Sequence, residues 1–240
     1  MTPEEILRMA CPNGITVTPS TEELYKCPKC HDTGYIILQK VPLIVEECEC
    51  HIRKRNLKRL ERAGLRELAE RCTFESFKTS EPWQEKAKAA ALAYLSSPKG
   101  AWFFLCGRSG SGKTHLCTAI CKELIDRGKE VFYMKWREEA PELKALVKEP
   151  SLYRERIRKL SEVPVLYIDD FFKGSVTEAD INLAYQLLNE RYNARRRTII
   201  SSERSIEGIG ELDEAIAGRI FELSRDYCFM TANVNYRMQN

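Results

Sequence analysis

The chain has 240 residues, of which 43% are hydrophobic and 30% charged, and its formal net charge is +3. This composition is typical of a soluble globular protein with one medium domain and one small domain. The sequence has no apolar run near the roughly 18 residues of a membrane span and no secretory signal, so we expect a cytoplasmic protein without membrane contact. Its ten cysteines are expected to include metal ligands and buried thiols rather than disulfides.

Two closely spaced cysteine pairs lie near the start of the chain. A CxxC pair at 27–30 and a CxC pair at 48–50 are separated by 17 residues that contain two strand-like stretches. Pairs at the ends of a hairpin can converge on one tetrahedral Zn²⁺, which would be structural because four protein ligands exclude water. The predicted ligands are Cys27, Cys30, Cys48 and Cys50. His31 and His51 are substitutes, and a set of reduced thiols is the alternative.

A basic helix is predicted directly after this cluster. Residues 52–71 contain eight basic and three acidic residues. Such a helix can meet nucleic acid phosphates or an acidic partner, although an ordinary solvated face explains it equally well. The segment after it contains Phe74 and Phe77, which either pack near an adenine ring or cap the core of the next domain.

The stretch GRSGSGKT at residues 107–114 matches the P-loop pattern, between an apolar strand at 101–106 and a helix that stops at Gly128. Its glycines let the backbone approach phosphate oxygens, and its amides face the anion. Lys113 is predicted to reach the β- and γ-phosphates, and Thr114 to bind Mg²⁺. A glycine-rich loop without a ligand is the alternative. The predicted nucleotide-binding residues are Gly107, Ser109, Gly110, Ser111, Gly112, Lys113, Thr114 and His115.

Strands and helices alternate through the rest of the chain. Strands are predicted over 130–136, 163–168, 198–200 and 227–230, with helices over 83–95, 138–148, 177–194 and 213–223. This order favours an α/β fold with a parallel five-stranded sheet flanked by helices. The third strand ends in two carboxylates, so Asp169 is predicted to hold Mg²⁺ and Asp170 to polarise the attacking water. An acidic turn is the alternative for this pair.

These features together resemble the bacterial and bacteriophage replicative helicase loaders of the DnaC/DnaI type, which are AAA+ ATPases related to IstB-like transposition helpers. The resemblance covers about residues 27–237 and includes GRSGSGKT, YIDDF, IISSE, AGRIFE and NYR. It implies a small zinc-binding module ahead of an AAA+ P-loop domain, with ATP and Mg²⁺ as cofactors. The implied units are a helicase-docking module at 1–63, a linker at 64–80 and an ATPase domain at 81–240.

The resemblance also implies roles for two arginines. Arg219 resembles the arginine finger that completes the nucleotide site of a neighbouring subunit. Arg237 resembles the second-sensor arginine that contacts the γ-phosphate in its own subunit. A surface ion pair is the alternative for each. The first-sensor position holds Ser202 or Glu203 instead of the usual Asn or Thr, so ATP turnover is expected to be weak.

The implied function is the loading of a hexameric replicative DNA helicase onto single-stranded DNA. ATP binding and hydrolysis would control assembly and release, and the subunits would associate head to tail into a ring or spiral. Three alternatives stay open: an ATPase helper of transposition, a small-molecule kinase that uses the same P-loop, and a nucleic-acid adaptor that binds ATP without hydrolysing it.

Overall fold

The computed structural model describes residues 25–62 and 66–231, without the side chains at positions 59 and 62. Arg237 lies outside the described residues. The chain first forms an antiparallel hairpin and then two helices. These elements are β1 (Tyr35–Gln39), β2 (Ile44–Glu47), α1 (Glu49–Arg62) and α2 (Arg66–Arg71).

The remaining elements build a five-stranded sheet with all pairings parallel, in the order β4-β5-β6-β3-β7. The predicted parallel sheet flanked by helices is therefore confirmed. In chain order the elements are α3 (Pro82–Tyr94), β3 (Trp102–Cys106), α4 (Lys113–Asp126), β4 (Val131–Lys135), α5 (Trp136–Ala145), α6 (Pro150–Glu162), β5 (Val165–Phe171), α7 (Glu178–Asn193), β6 (Arg197–Ser202), α8 (Ile206–Gly210), α9 (Glu214–Ser224) and β7 (Cys228–Met230).

The sheet is covered on both faces, as its apolar strands require. Every residue of β3 is buried, and its side chains alternate between two apolar clusters. Phe103 and Leu105 pack with α3 and α4 on one face, whereas Trp102 and Phe104 pack with α5, α6, α7 and α9 on the other. The carboxyl ends of the parallel strands consequently meet at one edge of the sheet, where the P-loop also lies.

Several element ends follow the predicted signals. Thr177 caps α7, and its side chain accepts a hydrogen bond from the amide of Asp180. Gly128 has a φ of +76° directly after α4, as expected of a helix stop. Trp136, predicted to end the second strand, instead begins α5, and its ring packs on Phe171 and Phe172.

The helices after the hairpin pack against the part of the chain that forms the five-stranded sheet. Leu60 of α1 and Ala69 of α2 belong to the same buried cluster as the residues of α4. Asn56 is fully buried and donates a hydrogen bond to the backbone oxygen of Lys129 at 2.8 Å. The predicted divisions at residues 63 and 80 stay predictions, but apolar contacts cross both of them.

Arg191 is a fully buried cation on α7 that holds three elements together. Its guanidinium donates to backbone oxygens at the end of α6 and the start of β6, and to one hydroxyl. The acceptors are the oxygens of Leu160 at 2.8 Å, Ser161 at 3.1 Å, Val163 at 2.9 Å and Arg197 at 2.5 Å, and Oγ1 of Thr198 at 3.0 Å.

We expect Arg191→Met to lower the free energy of unfolding by about 3 kcal/mol, because it leaves several buried acceptors without a donor. Urea unfolding followed by circular dichroism measures this loss. Arg158→Met, on the exposed side of α6, is the matched control and should stay within about 0.5 kcal/mol of the parent chain. Equal stability of the two variants would contradict the assigned role of Arg191.

Candidate functional site

The P-loop connects β3 to α4 through three glycines with positive φ. Gly107, Gly110 and Gly112 have φ values of +138°, +76° and +92°. A Cβ on Gly107 would lie 2.0 Å from Oγ1 of Thr231, so only glycine fits there. Gly112 ends the loop and α4 begins at Lys113, which places the free amides of the first helical turn at the loop. This loop has the backbone of a phosphate cradle.

Lys113 lies within the cradle and is nearly buried. Its Nζ donates hydrogen bonds at 2.8 Å to the backbone oxygens of Gly107 and Arg108. Burial lowers the pKa of this ammonium, and the negative charges of Glu203 and Asp170 oppose that shift. The ammonium can therefore exchange two loop carbonyls for the oxygens of a polyphosphate with little movement.

Asp169 is a buried carboxylate at the carboxyl end of β5 that accepts hydrogen bonds from four hydroxyl groups. Thr114 of α4 donates at 3.3 Å, so the two residues predicted to bind Mg²⁺ do lie together. Tyr133 donates to Oδ2 at 2.9 Å and Tyr167 to Oδ1 at 2.8 Å. Ser201 also donates to Oδ1. These donors fix the orientation of a hard oxygen ligand beside the cradle.

Asp170, the predicted water-orienting carboxylate, is held by a lysine. Its φ of +55° is unusual for a residue other than glycine and is of the kind found at functional sites. Lys173 Nζ lies 3.0 Å from Oδ2 of Asp170 and 3.0 Å from Oε1 of Glu203. Of the two first-sensor candidates, Glu203 therefore joins the charged group beside Asp170. Ser202 is buried and donates to the backbone oxygen of Phe171 at 2.7 Å.

Several residues of this site were missed at the sequence level. Tyr133 and Tyr167 face each other in the register of β4 and β5, and both reach Asp169. Ser201 belongs to the polar end of β6, and Lys173 follows β5 by two residues. For Ser201 and Lys173 the usable signal was position, because both lie near the carboxyl end of a parallel strand, where the ligands of open α/β sheets bind. Tyr133 and Tyr167 lie within their strands, so position did not mark them.

His115 and Phe77 connect the P-loop helix to the preceding segment. Nε2 of His115 lies 3.1 Å from the backbone oxygen of Thr73 and 3.2 Å from Oγ of Ser76. The His115 side chain thus faces the predicted linker, while its backbone stays in the first turn of α4. Phe77 is buried against the His115 ring, and its edge lies 3.5 Å from where a Cβ on Gly112 would be. Phe77 consequently lies beside the cradle as well as in the core.

Arg219 lies on α9 and contacts α7 and its own helix. Its guanidinium donates to Oδ1 of Asn189 at 3.1 Å and to the Tyr185 hydroxyl at 3.3 Å. It also lies 4.9 Å from the centre of the Tyr185 ring. None of these partners belongs to the P-loop, so a role in catalysis requires a second subunit. That role stays a prediction.

The four predicted zinc ligands converge at the hairpin. The sulfur atoms of Cys27, Cys30, Cys48 and Cys50 all lie within 4.8 Å of one another. The pairs Cys27–Cys48 and Cys30–Cys50 are separated by 3.8 Å and 3.4 Å. Four sulfurs at about 2.3 Å from a tetrahedral Zn²⁺ would be about 3.8 Å apart, so the cluster fits this ion.

The chemistry of these thiols also favours a bound cation. Hydrogen bonding from the backbone amide of Cys30 lowers the pKa of Cys27 to about 7, whereas burial raises the pKa of Cys48 and of Cys50. Four crowded sulfurs become thiolates together when a dication compensates their charge. Neither substitute belongs to the cluster of sulfurs, and each packs against a tyrosine: the His31 ring lies 4.8 Å from that of Tyr25, and the His51 ring 5.4 Å from that of Tyr35.

The cradle, the buried carboxylate and the parallel sheet together define a P-loop ATPase of the AAA+ class. The chain belongs to the family of IstB-like ATP binding proteins, whose sequence profile matches residues 24–222. Among the described residues, no helix is both long enough and apolar enough to span a membrane.

Proteins of similar sequence include a phage-like element protein, an uncharacterized protein and a replicative helicase loader. The phage-like element PBSX protein XkdC of Bacillus subtilis is 29% identical over 234 residues, which cover 90% of this chain and 86% of that protein. The uncharacterized protein YqaM of the same organism is 33% identical, and the match covers 76% of this chain and 62% of YqaM. The replicative helicase loader DnaC of Escherichia coli is 27% identical, and the match covers 68% of this chain and 67% of DnaC.

Solved structures share the fold. A crystal structure of DnaI superposes with a TM-score of 0.58 and 23% identity, covering 69% of this chain and 92% of DnaI. A crystal structure of the DnaC helicase loader superposes with a TM-score of 0.59 and 19% identity, covering 67% of this chain and 95% of the DnaC chain. At these sequence identities, the similarity shows a shared fold and nothing further.

We expect Tyr133→Phe to weaken Mg²⁺-dependent ATP binding by about 10-fold, because Asp169 loses one of the hydroxyls that orient it. Titration of a fluorescent ATP analogue at several Mg²⁺ concentrations measures this change. Tyr153→Phe is the matched control, since it removes a hydroxyl that contacts Gln186 between α6 and α7. An unchanged Mg²⁺ dependence in Tyr133→Phe would argue against the assigned ligand role of Asp169.

We expect the purified chain to carry about one zinc ion, and Cys48→Ser to lose most of it. Elemental analysis measures the metal, and alkylation of the native protein should leave the four cluster thiols protected until a chelator is added. Cys72→Ser, which removes a buried thiol outside the cluster, is the control and should keep the zinc. Zinc content well below one equivalent in the parent chain would refute the site.

Proposed function

We propose that this protein is an ATP-dependent loader that delivers a hexameric replicative DNA helicase onto single-stranded DNA. The main observation that supports this proposal is the P-loop, with Lys113 and Thr114 beside the buried Asp169. The chain is also similar in sequence to a replicative helicase loader. A fold with this site holds a nucleotide and can change its assembly with the state of that nucleotide. Such a protein acts in the cytoplasm, where the chromosome is replicated.

Each residue of the nucleotide site has a proposed role. The P-loop amides and Lys113 hold the β- and γ-phosphates of ATP, and Thr114 and Asp169 hold Mg²⁺. Bound Mg²⁺ neutralises charge on the phosphates. Asp170 orients the attacking water, and its carboxylate is fixed by Lys173. Because Lys173 also binds Glu203, the water-orienting group is restrained, which is consistent with slow turnover.

Assembly supplies the remaining parts of the site. Arg219 is proposed to enter the nucleotide site of a neighbouring subunit, where a fixed cation stabilises charge on the transferring phosphoryl group. Arg237 is proposed to contact the γ-phosphate in its own subunit. A head-to-tail contact of this kind produces a ring or an open spiral. ATP state would then control whether the assembly holds or releases the helicase.

The hairpin module is proposed to bind Zn²⁺ and to dock on the helicase. A segment of this size has too small a core to fold without a metal or disulfides, so the four thiolates serve as its staple. The basic helix α1 extends from this module to the ATPase part, where Leu60 and Asn56 are buried. A partner docked on the module would therefore shift α1, and α1 would transmit that shift to α4, the helix that begins at the P-loop.

A second candidate is an ATPase helper of transposition, which the resemblance to IstB-like transposition helpers implies and membership of the IstB-like family supports. It would use the same nucleotide site with a transposase as partner, and co-purification of a transposase instead of a helicase would identify it. A small-molecule kinase would phosphorylate a metabolite as a monomer. A non-hydrolysing adaptor would bind ATP with negligible turnover even with DNA and partner present.

The deciding experiment compares the parent chain with Arg219→Ala in ATP binding, ATP hydrolysis and helicase transfer to single-stranded DNA. We expect ATP binding to stay within about 2-fold and hydrolysis by the assembled protein to fall by about 10³-fold, because Arg219 acts on the neighbouring site. Helicase transfer should fall with it. Arg158→Ala is the matched control. Full transfer and hydrolysis in Arg219→Ala would refute the assembled ATPase and favour a monomeric enzyme.

A further inference from the structure

A cavity of about 660 Å³ opens at the edge of the sheet opposite to the P-loop. Gly100 lies just before β3, Pro164 just before β5, and Arg197 begins β6, so the amino ends of the strands line this cavity. Lys113 and Asp169 lie at the carboxyl ends. The five residues of β3 separate the two edges by roughly 17 Å. We call this second site the amino-edge cavity, and it is distinct from the nucleotide site.

Cations line the amino-edge cavity, and none of the described residues that line it is acidic. The cations are Lys99, Lys129, Arg195, Arg196 and Arg197. Within the described parts of the chain, Arg195 is the one member of this set with a carboxylate partner, Glu222 at 3.6 Å. Both side chains of that pair are about half exposed, so the pair is weak. Most of the cations that line the cavity therefore have no carboxylate partner among the described residues.

Uncharged groups hold two of the guanidinium groups in place. Arg196 donates to the backbone oxygen of Glu162, and Arg197 donates to the backbone oxygen of Ser97 at 2.9 Å and to its hydroxyl at 3.1 Å. The Arg197 guanidinium also lies 5.0 Å from the centre of the Tyr94 ring. These contacts orient the cations but leave their charge available to an anionic ligand.

The backbone at this edge is also closely fitted. Gly100 has a φ of +94°, and a Cβ there would lie 2.8 Å from Cβ of Arg195 and 2.9 Å from its backbone oxygen. Glycine is therefore required for the loop before β3 to approach the start of β6. This approach brings Lys99 to the same cavity as the three consecutive arginines.

We infer that the amino-edge cavity binds the phosphate backbone of a single-stranded nucleic acid. Guanidinium groups match phosphate oxygens in geometry and charge, and a concave, positively charged site follows one strand more readily than a duplex. The described lining residues include no aromatic side chain, so binding would depend on phosphates and tolerate any base sequence. An acidic peptide is the competing ligand class, and the competition experiment below separates it from a nucleic acid.

This inference rests on the proposed function only in naming single-stranded DNA as the natural source of the phosphates. Its test uses the full chain, a fluorescent oligothymidylate of about 20 nucleotides, and neither helicase nor ATP. The test can therefore reject the DNA site without rejecting the loader function, and a rejected loader function leaves this test unaffected. The variant is the double substitution Lys99→Gln with Lys129→Gln, two exposed residues outside the nucleotide site.

We expect the double variant to raise the Kd for the oligonucleotide on the order of 10-fold at about 0.1 M salt. The slope of log Kd against log salt should fall by about 1.4, which is about 0.7 for each lost phosphate contact to a single strand. Lys86→Gln with Lys148→Gln removes the same charge elsewhere and should keep the slope. Unchanged ATP binding in both variants confirms that they are folded.

Three results would overturn the inference. The first is equal Kd and equal salt slope in the double variant and the parent chain. The second is more effective displacement of the oligonucleotide by polyglutamate than by an equal charge of unlabelled oligonucleotide, which would assign the cavity to an acidic peptide. The third is complete displacement by inorganic triphosphate at the same phosphate concentration, which would assign it to a small free polyphosphate.

Discussion

The buried carboxylate of Asp169 is the group on which the nucleotide site depends. Hydroxyls from β4, β5, β6 and α4 converge on it, so its position fixes the ends of three strands relative to the P-loop helix. A buried carboxylate is costly unless it is hydrogen-bonded and compensated by positive charge. The hydroxyls provide the first condition, and the Mg²⁺ ion of a bound nucleotide would provide the second. Sheet geometry and nucleotide binding thus share one polar centre.

The same arrangement connects the nucleotide to the rest of the chain. His115, two residues after Lys113, contacts the segment that contains Thr73 and Ser76, and α1 and α2 pack against the helix that the P-loop begins. The cysteine hairpin continues directly into α1. A change at the phosphates can therefore reach the module proposed to hold zinc through packed elements. Cations line the cavity at the opposite edge of the sheet, so nucleotide and DNA would act on different edges.

Much of the fold could be predicted from the sequence because its signals are local. The P-loop, the apolar strands, the cap at Thr177 and the four cysteines each depend on short spacings, and the structure brings these residues together as expected. What the sequence could not show depends on tertiary register. Tyr133 reaches Asp169 because β4 and β5 pair in one register, and Lys173 bridges Asp170 to Glu203 across two strand ends. Single residues at strand ends carry no periodic signal.

The central claim is that a triphosphate lies between Lys113 and Asp169. Isothermal titration of the full chain with ATP, with and without Mg²⁺, tests it most directly, and Lys113→Ala is the variant to compare. The account predicts one ATP per chain with Mg²⁺ and a loss of at least about 100-fold in affinity in Lys113→Ala, because a nearly buried cation that faces the phosphates is removed. Equal affinity in the two proteins, or no binding by the parent chain, would contradict it.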